Sequence, residues 1–201
     1  MRKTIFIIIA IIVVLAGIDW VHACSKDRSG KDMFARLLTY ADMYEYKDPD
    51  FDYVIRVPSF FVKQPDSLKT EKGSMRFEYN DQWINVVIES RVVYNRGHLL
   101  RNSCDSIIHT LKATKHKVGR NYVIFSGPQY EQGEVVDGYS YYTKVMENRK
   151  LWFVCTMIYP DDYKDVLTRM FKEINSWQIW ERQRPELKQG ESQTPGYNSL
   201  K

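Results

Sequence analysis

Runs of β-branched and aromatic residues, cut at short intervals by turn-forming residues, constrain this chain more than any other feature. Trp83-Ile-Asn-Val-Val-Ile-Glu-Ser-Arg-Val-Val93 is long, rich in Val and Ile, and predicts a strand. Ahead of it, Ser74-Met-Arg-Phe-Glu-Tyr79 alternates, which places Met75, Phe77 and Tyr79 on one face. Asn80-Asp81 between the two suits a hairpin turn. Tyr53-Val-Ile-Arg-Val57 ends at Pro58, which has no N–H to give a ladder. Tyr122–Ser126, Val135–Val145 and Leu151–Tyr159 follow, separated by Gly127-Pro128 and by Glu147-Asn148-Arg149. Successive hairpins imply a largely antiparallel sheet.

Two segments carry the other periodicity. Within Leu99–Lys112, Leu100, Cys104, Ile107, Ile108 and Leu111 form one apolar helical stripe. Tyr163, Val166, Leu167, Met170, Phe171 and Ile174 repeat the spacing within Asp162–Trp177, and Asp161 is placed to cap that helix. Burying one large member of such a stripe is worth about 1.5–3 kcal/mol, so both helices should dock on the sheet. Met33, Phe34, Leu37, Leu38 and Ala41 read as a helix, while Met43–Tyr46 is open to an edge-strand reading. The fold class is α+β, a largely antiparallel sheet flanked by helices.

The N-terminus predicts export. Arg2 and Lys3 precede an apolar run from Ile5 to Ile18 that Asp19 closes. That is short for a membrane span, which needs roughly 20 apolar residues, and it matches a secretory signal. The junction Val21-His22-Ala23-Cys24 suits ordinary signal peptidase and also resembles a bacterial lipobox, with Val21, Ala23 and Cys24 in place and His22 departing from the pattern. The expected organisation is a signal peptide over 1–23, a tether over 24–31, one α/β domain over 32–180 and a disordered tail over 181–201. The tail collects Pro, Gly, Gln and charge without apolar periodicity. Cys24 is the expected lipidation site, and its acyl chains would anchor the exported protein in the cell envelope, in the periplasm or at the outer membrane.

Chemistry-bearing residues are sparse. The net charge of +4 falls by one when Arg2, Lys3 and Asp19 leave with the signal, too mild a balance for a nucleic-acid partner. Lys112, Lys115, Lys117 and Arg120 around His116 read as a solvated turn. Aromatics make up 14% of the chain, which suits half-buried strands and equally a binding face. Cys104 and Cys155 fall in apolar stretches and are expected to be buried and inert, with a disulfide between them left open. Asp105 and His109, four apart, read as an ordinary pair on a wet helix face. His98, His109 and His116 are scattered, and no cysteine pair has zinc-site spacing, so no metal or cofactor is expected. Asp48-Pro-Asp50-Phe-Asp52 lacks the Gly and terminal Glu of a calcium loop and reads as a polar turn.

Four phrases together resemble the PsbP-like superfamily. They are Tyr53-Val-Ile-Arg-Val-Pro-Ser-Phe-Phe61, Asn121-Tyr-Val-Ile-Phe-Ser-Gly127, the Tyr-rich strand from Gly138 to Lys144, and Trp152–Pro160 leading into the last helix. The similarity spans roughly residues 43 to 178, and exported or lipid-anchored chains of Bacteroides-like bacteria share it. The resemblance implies an α/β/α sandwich and a binding or assembly role. It assigns no catalytic, cofactor or metal residue, since no residue set here matches manganese, calcium or Ran binding. The expectation is therefore a non-enzymatic, lipid-anchored binding or assembly module facing an envelope partner. The alternative is an exported hydrolase or small-ligand-binding protein whose site is assembled from Tyr and Asp residues distant in sequence.

Overall fold

The computed structural model describes residues 30–69 and 71–179. The signal, Cys24 and the tail lie outside the described residues. Helix α1 occupies 30–40. It is followed by β1 (Met43–Lys47), β2 (Val54–Pro58), β3 (Val62–Lys63), β4 (Met75–Asn80), β5 (Asn85–Tyr94) and α2 (Cys104–Leu111). The chain continues with β6 (Lys115–Val118), β7 (Tyr122–Glu131), β8 (Glu134–Asn148), β9 (Leu151–Pro160) and α3 (Thr168–Ser176). Strands β1 and β2 form a separate ribbon. The other seven form one antiparallel sheet in the order β3-β4-β5-β9-β8-β7-β6.

Alternation along each strand sorts side chains between two layers. Met75 and Phe77, Val86 and Ile88, and Phe153, Cys155 and Met157 enter the larger core with Phe34 and Leu38 of α1 and Met170 and Ile174 of α3. Val123, Phe125, Tyr141, Val145 and Val154 point the other way and pack with Leu100 and Cys104. The ambiguous stretch is therefore both things: a helix that buries Phe34 and Leu38 and exposes Met33 and Leu37, then strand β1.

Asp81 closes the β4–β5 hairpin as its position predicts. One carboxylate oxygen accepts the backbone N–H of Trp83 at 2.7 Å and of Ile84 at 2.9 Å, while the other accepts the Tyr79 hydroxyl at 2.7 Å.

Several expectations need correction. Gly127-Pro128 does not end a strand: β7 runs through it with a register shift between Pro128 and Tyr130, and the turn falls at Gln132-Gly133, both at positive φ. Gly127 serves close approach instead, since a Cβ there would stand 3.2 Å from the Lys112 carbonyl oxygen and from the Thr114 nitrogen. The basic stretch around His116 is not a turn but the exposed edge strand β6, whose backbone pairs with β7. Lysines on an edge discourage further strand addition. Helix α2 starts only at Cys104, although Leu100 is still buried. Before α3 comes a single 3₁₀ turn, Asp161–Tyr163, which has no side-chain cap. Asp161 does not cap; its carboxylate accepts the Ser140 hydroxyl at 2.5 Å. Cys104 and Cys155 are free, and the sheet itself separates them.

The closed face is locked at the C-terminal end of α3. Lys144 of β8 is 2% exposed and donates to the carbonyl oxygens of Asn175 at 2.7 Å and Trp177 at 2.6 Å. Its ammonium also lies 4.9 Å from the centre of the Tyr122 ring. A cation at this end complements the helix dipole and satisfies carbonyls that have no partner within the helix. Trp177 then donates its indole N–H to Val54 of β2 at 2.6 Å, and Arg169 donates to Leu38 at the end of α1 at 2.6 Å. Replacing Lys144 by Ala opens a cavity and strips both carbonyls of their donor, so a loss of about 2–4 kcal/mol is expected. Lys144→Met, which keeps the stem but not the donor, should recover part of it. Urea unfolding of the three chains measures both values.

Candidate functional site

Helix α2 has 8 residues, whereas β5, β8 and β9 run for 10, 15 and 10. It packs over β7 and β8, where Tyr141 donates its hydroxyl to the Leu111 carbonyl at 3.0 Å. The β5–β9 half of the same face stays open as a cleft of about 870 Å³. One wall is the α2 side, with Ile107, Leu111 and Lys112, joined by Tyr130 of β7. The segment between β3 and β4 supplies the other, with Leu68, Lys69 and Glu71.

Strand register writes a pattern on the floor. Arg76, Glu89, Thr156 and Thr143 are successive cross-strand partners on β4, β5, β9 and β8. The Arg76 guanidinium pairs with the Glu89 carboxylate and also reaches Glu78 at 3.7 Å. Thr143 and Thr156 share a hydrogen bond of 2.9 Å between their hydroxyls. On one side of this polar row lies Arg91 with Val154 and Val145, and on the other Val87 with Ile158 and Tyr141. The register thus sets a hydrogen-bonding band between two more apolar strips, of which Val87, Tyr141, Val145 and Val154 are buried.

The lining of the cleft carries more cations than carboxylates. Lys69, Arg76, Arg91 and Lys112 line it against Glu71 and Glu89. Lys112 lies 4.1 Å from the Tyr130 ring centre and donates to the Gly133 carbonyl at 3.2 Å. Lys69 pairs with Asp66 at 3.2 Å. Trp152 closes one end of the floor, and its indole N–H is buried without an acceptor among the described residues. Burial pushes the Tyr141 phenol up to about 12, with a smaller contribution from Tyr130.

Residues singled out in the sequence fall elsewhere. Asp105 and His109 are both exposed on α2, and His98 and His116 are exposed on a loop and on β6. Burial pushes the thiols of Cys104 and Cys155 upward, the latter to about 12, so neither is a thiolate at neutral pH. The Asp48–Asp52 stretch is the expected turn, but Asp48 is buried, 1% exposed, and its carboxylate accepts the backbone N–H of Asp50 and Phe51 and the Tyr46 hydroxyl. No group of three potential metal ligands occurs among the described residues. What the sequence reading missed is the cleft. Its signal was available in Glu89 and Arg91, two charges at alternate positions of a strand rich in Val and Ile.

The sheet with α1 and α3 on one face and α2 on the other defines an α+β sandwich. Its fold is PsbP-like. No protein-family model and no curated protein matches the sequence. Among solved structures, cyanobacterial PsbP from Synechocystis is similar at a TM-score of 0.53 and 12% identity, covering 70% of this chain and 94% of that one. The Ran-binding protein Mog1p of Saccharomyces cerevisiae reaches a TM-score of 0.49 at 7% identity, covering 67% and 93%. At 12% identity the likeness to PsbP is one of fold.

Tyr141 gives the cleft floor a pH signature. Its folded-state pKa of about 12 lies above the unfolded value of about 10, so the unfolded chain loses that proton first. Its contribution is intact below pH 10 and is lost as pH rises from there through about 12. Tyr141→Phe should cost about 1 kcal/mol at pH 8 through the lost hydrogen bond to Leu111. It should also shallow the fall in urea midpoint between pH 10 and 12.

Proposed function

We propose that this chain is a non-enzymatic binding module of the cell envelope, exported by residues 1–23, held by a lipid on Cys24, and binding a small ligand in the cleft beside α2. The observation that carries the reading is the cleft itself, an open half-face about 870 Å³ in volume. Sites for small molecules typically span about 300–1,000 Å³ and combine apolar lining with a few placed polar groups. Most polar side chains on this floor are engaged with one another: Arg76 with Glu89, Thr143 with Thr156. That arrangement suits holding and orienting a molecule rather than attacking one. Export and tethering rest on the charged start, the closed apolar run and the lipobox-like Val21-His22-Ala23-Cys24.

Two experiments test the halves separately. Cells grown with labelled fatty acid should label the wild-type chain and not Cys24→Ser, and only the wild type should fractionate with membranes. An unlabelled, soluble wild type removes the tether. For the cleft, a small-molecule extract of the envelope should raise the melting temperature of the Cys24→Ser chain by a few degrees. It should not do so once Thr156→Phe fills the floor. An equal response from both chains would move the site elsewhere.

A further inference from the structure

Among the described residues, the open floor contains one cation that no other group answers. Arg76 is held by Glu89 and Glu78, Lys69 by Asp66, and Lys112 by the Tyr130 ring and the Gly133 carbonyl. Arg91 has neither an ion pair nor a hydrogen bond among the described residues, and it lines the cleft from the middle of β5. Its cross-strand partner is Val154, and Val93 follows it on the same face beside Trp152. The free guanidinium therefore stands at the border of an apolar strip. From this juxtaposition we infer that the cleft takes a small amphipathic anion, a molecule with an apolar body and one carboxylate-type group, and that Arg91 is its counter-ion. The inference rests on the reading of the cleft as the binding site.

Three features support that chemistry. Guanidinium matches carboxylate with two parallel hydrogen bonds. Val93, Ile107 and the Trp152 ring, each half-buried and lining the cleft, offer apolar contact for the body of the ligand. Cations outnumber carboxylates in the lining by four to two, which disfavours a cationic ligand. Glu71, the carboxylate not paired with Arg76, lies in the opposite wall.

The test uses the mature chain with Cys24→Ser, so that no acyl chain of its own competes. Decanoate and 1-decanol, both below their aggregation limits, are titrated calorimetrically into this chain and into a second one carrying Arg91→Gln as well. The acid should bind the first chain about tenfold to a hundredfold more tightly than the second, as expected for a lost charge-assisted bond. The alcohol should bind both chains weakly and alike. Arg91 is exposed, so urea midpoints of the two chains should agree and exclude misfolding. Equal binding of decanoate by both chains, or equal affinity for acid and alcohol in the first, overturns the inference. If decanoate does not bind but the envelope extract still stabilises the chain in a Thr156-dependent way, the amphipathic anion is wrong and the cleft stands. If neither acts, both readings fall.

Discussion

Lys144 sits at the point where one face of the sheet is sealed. Its ammonium is withdrawn from water, which lowers its pKa through desolvation, and it is held by two carbonyls at the C-terminal end of α3. Fixing that end places Trp177 against Val54 and keeps the β1–β2 ribbon over the core. Its strand neighbours Tyr142 and Met146 point the same way, while Tyr141, Thr143 and Val145 point the other. A strand has period two, so committing Lys144 to the α3 layer commits the odd-numbered residues around it to the cleft side. Closure of one face and the composition of the other are one choice of register.

The second face is covered unevenly because α2 is short. Its apolar stripe reaches Val123, Phe125 and Tyr141 and leaves much of the surface above Glu89, Arg91 and Thr156 open. An apolar floor of that extent would be a liability in water. The Arg76–Glu89–Thr156–Thr143 row divides it, and each pair satisfies its own hydrogen bond without needing a covering element. Arg91 is the exception, engaged with nothing in the described chain, and on that exception the ligand chemistry rests.

Much of this architecture was legible in the sequence. Strands β4, β5, β8 and β9 follow the apolar alternation closely, and the stripes that identify α2 and α3 are the residues that meet the cores. Misreadings cluster where local signals compete with tertiary pairing. Gly127-Pro128 looks like a turn, yet β8 pairs across it and the bulge absorbs the irregularity. Lys115–Val118 looks like a solvated loop because no side chain there is buried; only its backbone is recruited, by β7. Asp161 looks like a cap, but Ser140 on the neighbouring strand claims its carboxylate. The cleft was the least legible part. Arg76, Glu89, Thr143 and Thr156 come from four strands and become neighbours only once register is known, whereas Asp105 and His109 are four apart and legible as a pair in the sequence itself.

The β5–β9 half of the α2 face is an accessible site rather than part of a closed core. Cysteine accessibility tests it most directly, because the native thiols of Cys104 and Cys155 are buried with their pKa values pushed up and should stay silent in the folded chain. With Cys24→Ser as background, a cysteine placed at Thr156 should react with a small maleimide within minutes under native conditions. One placed at Phe125, beneath α2, should react only on unfolding. Protection of the Thr156 position equal to that of Phe125 would contradict the account.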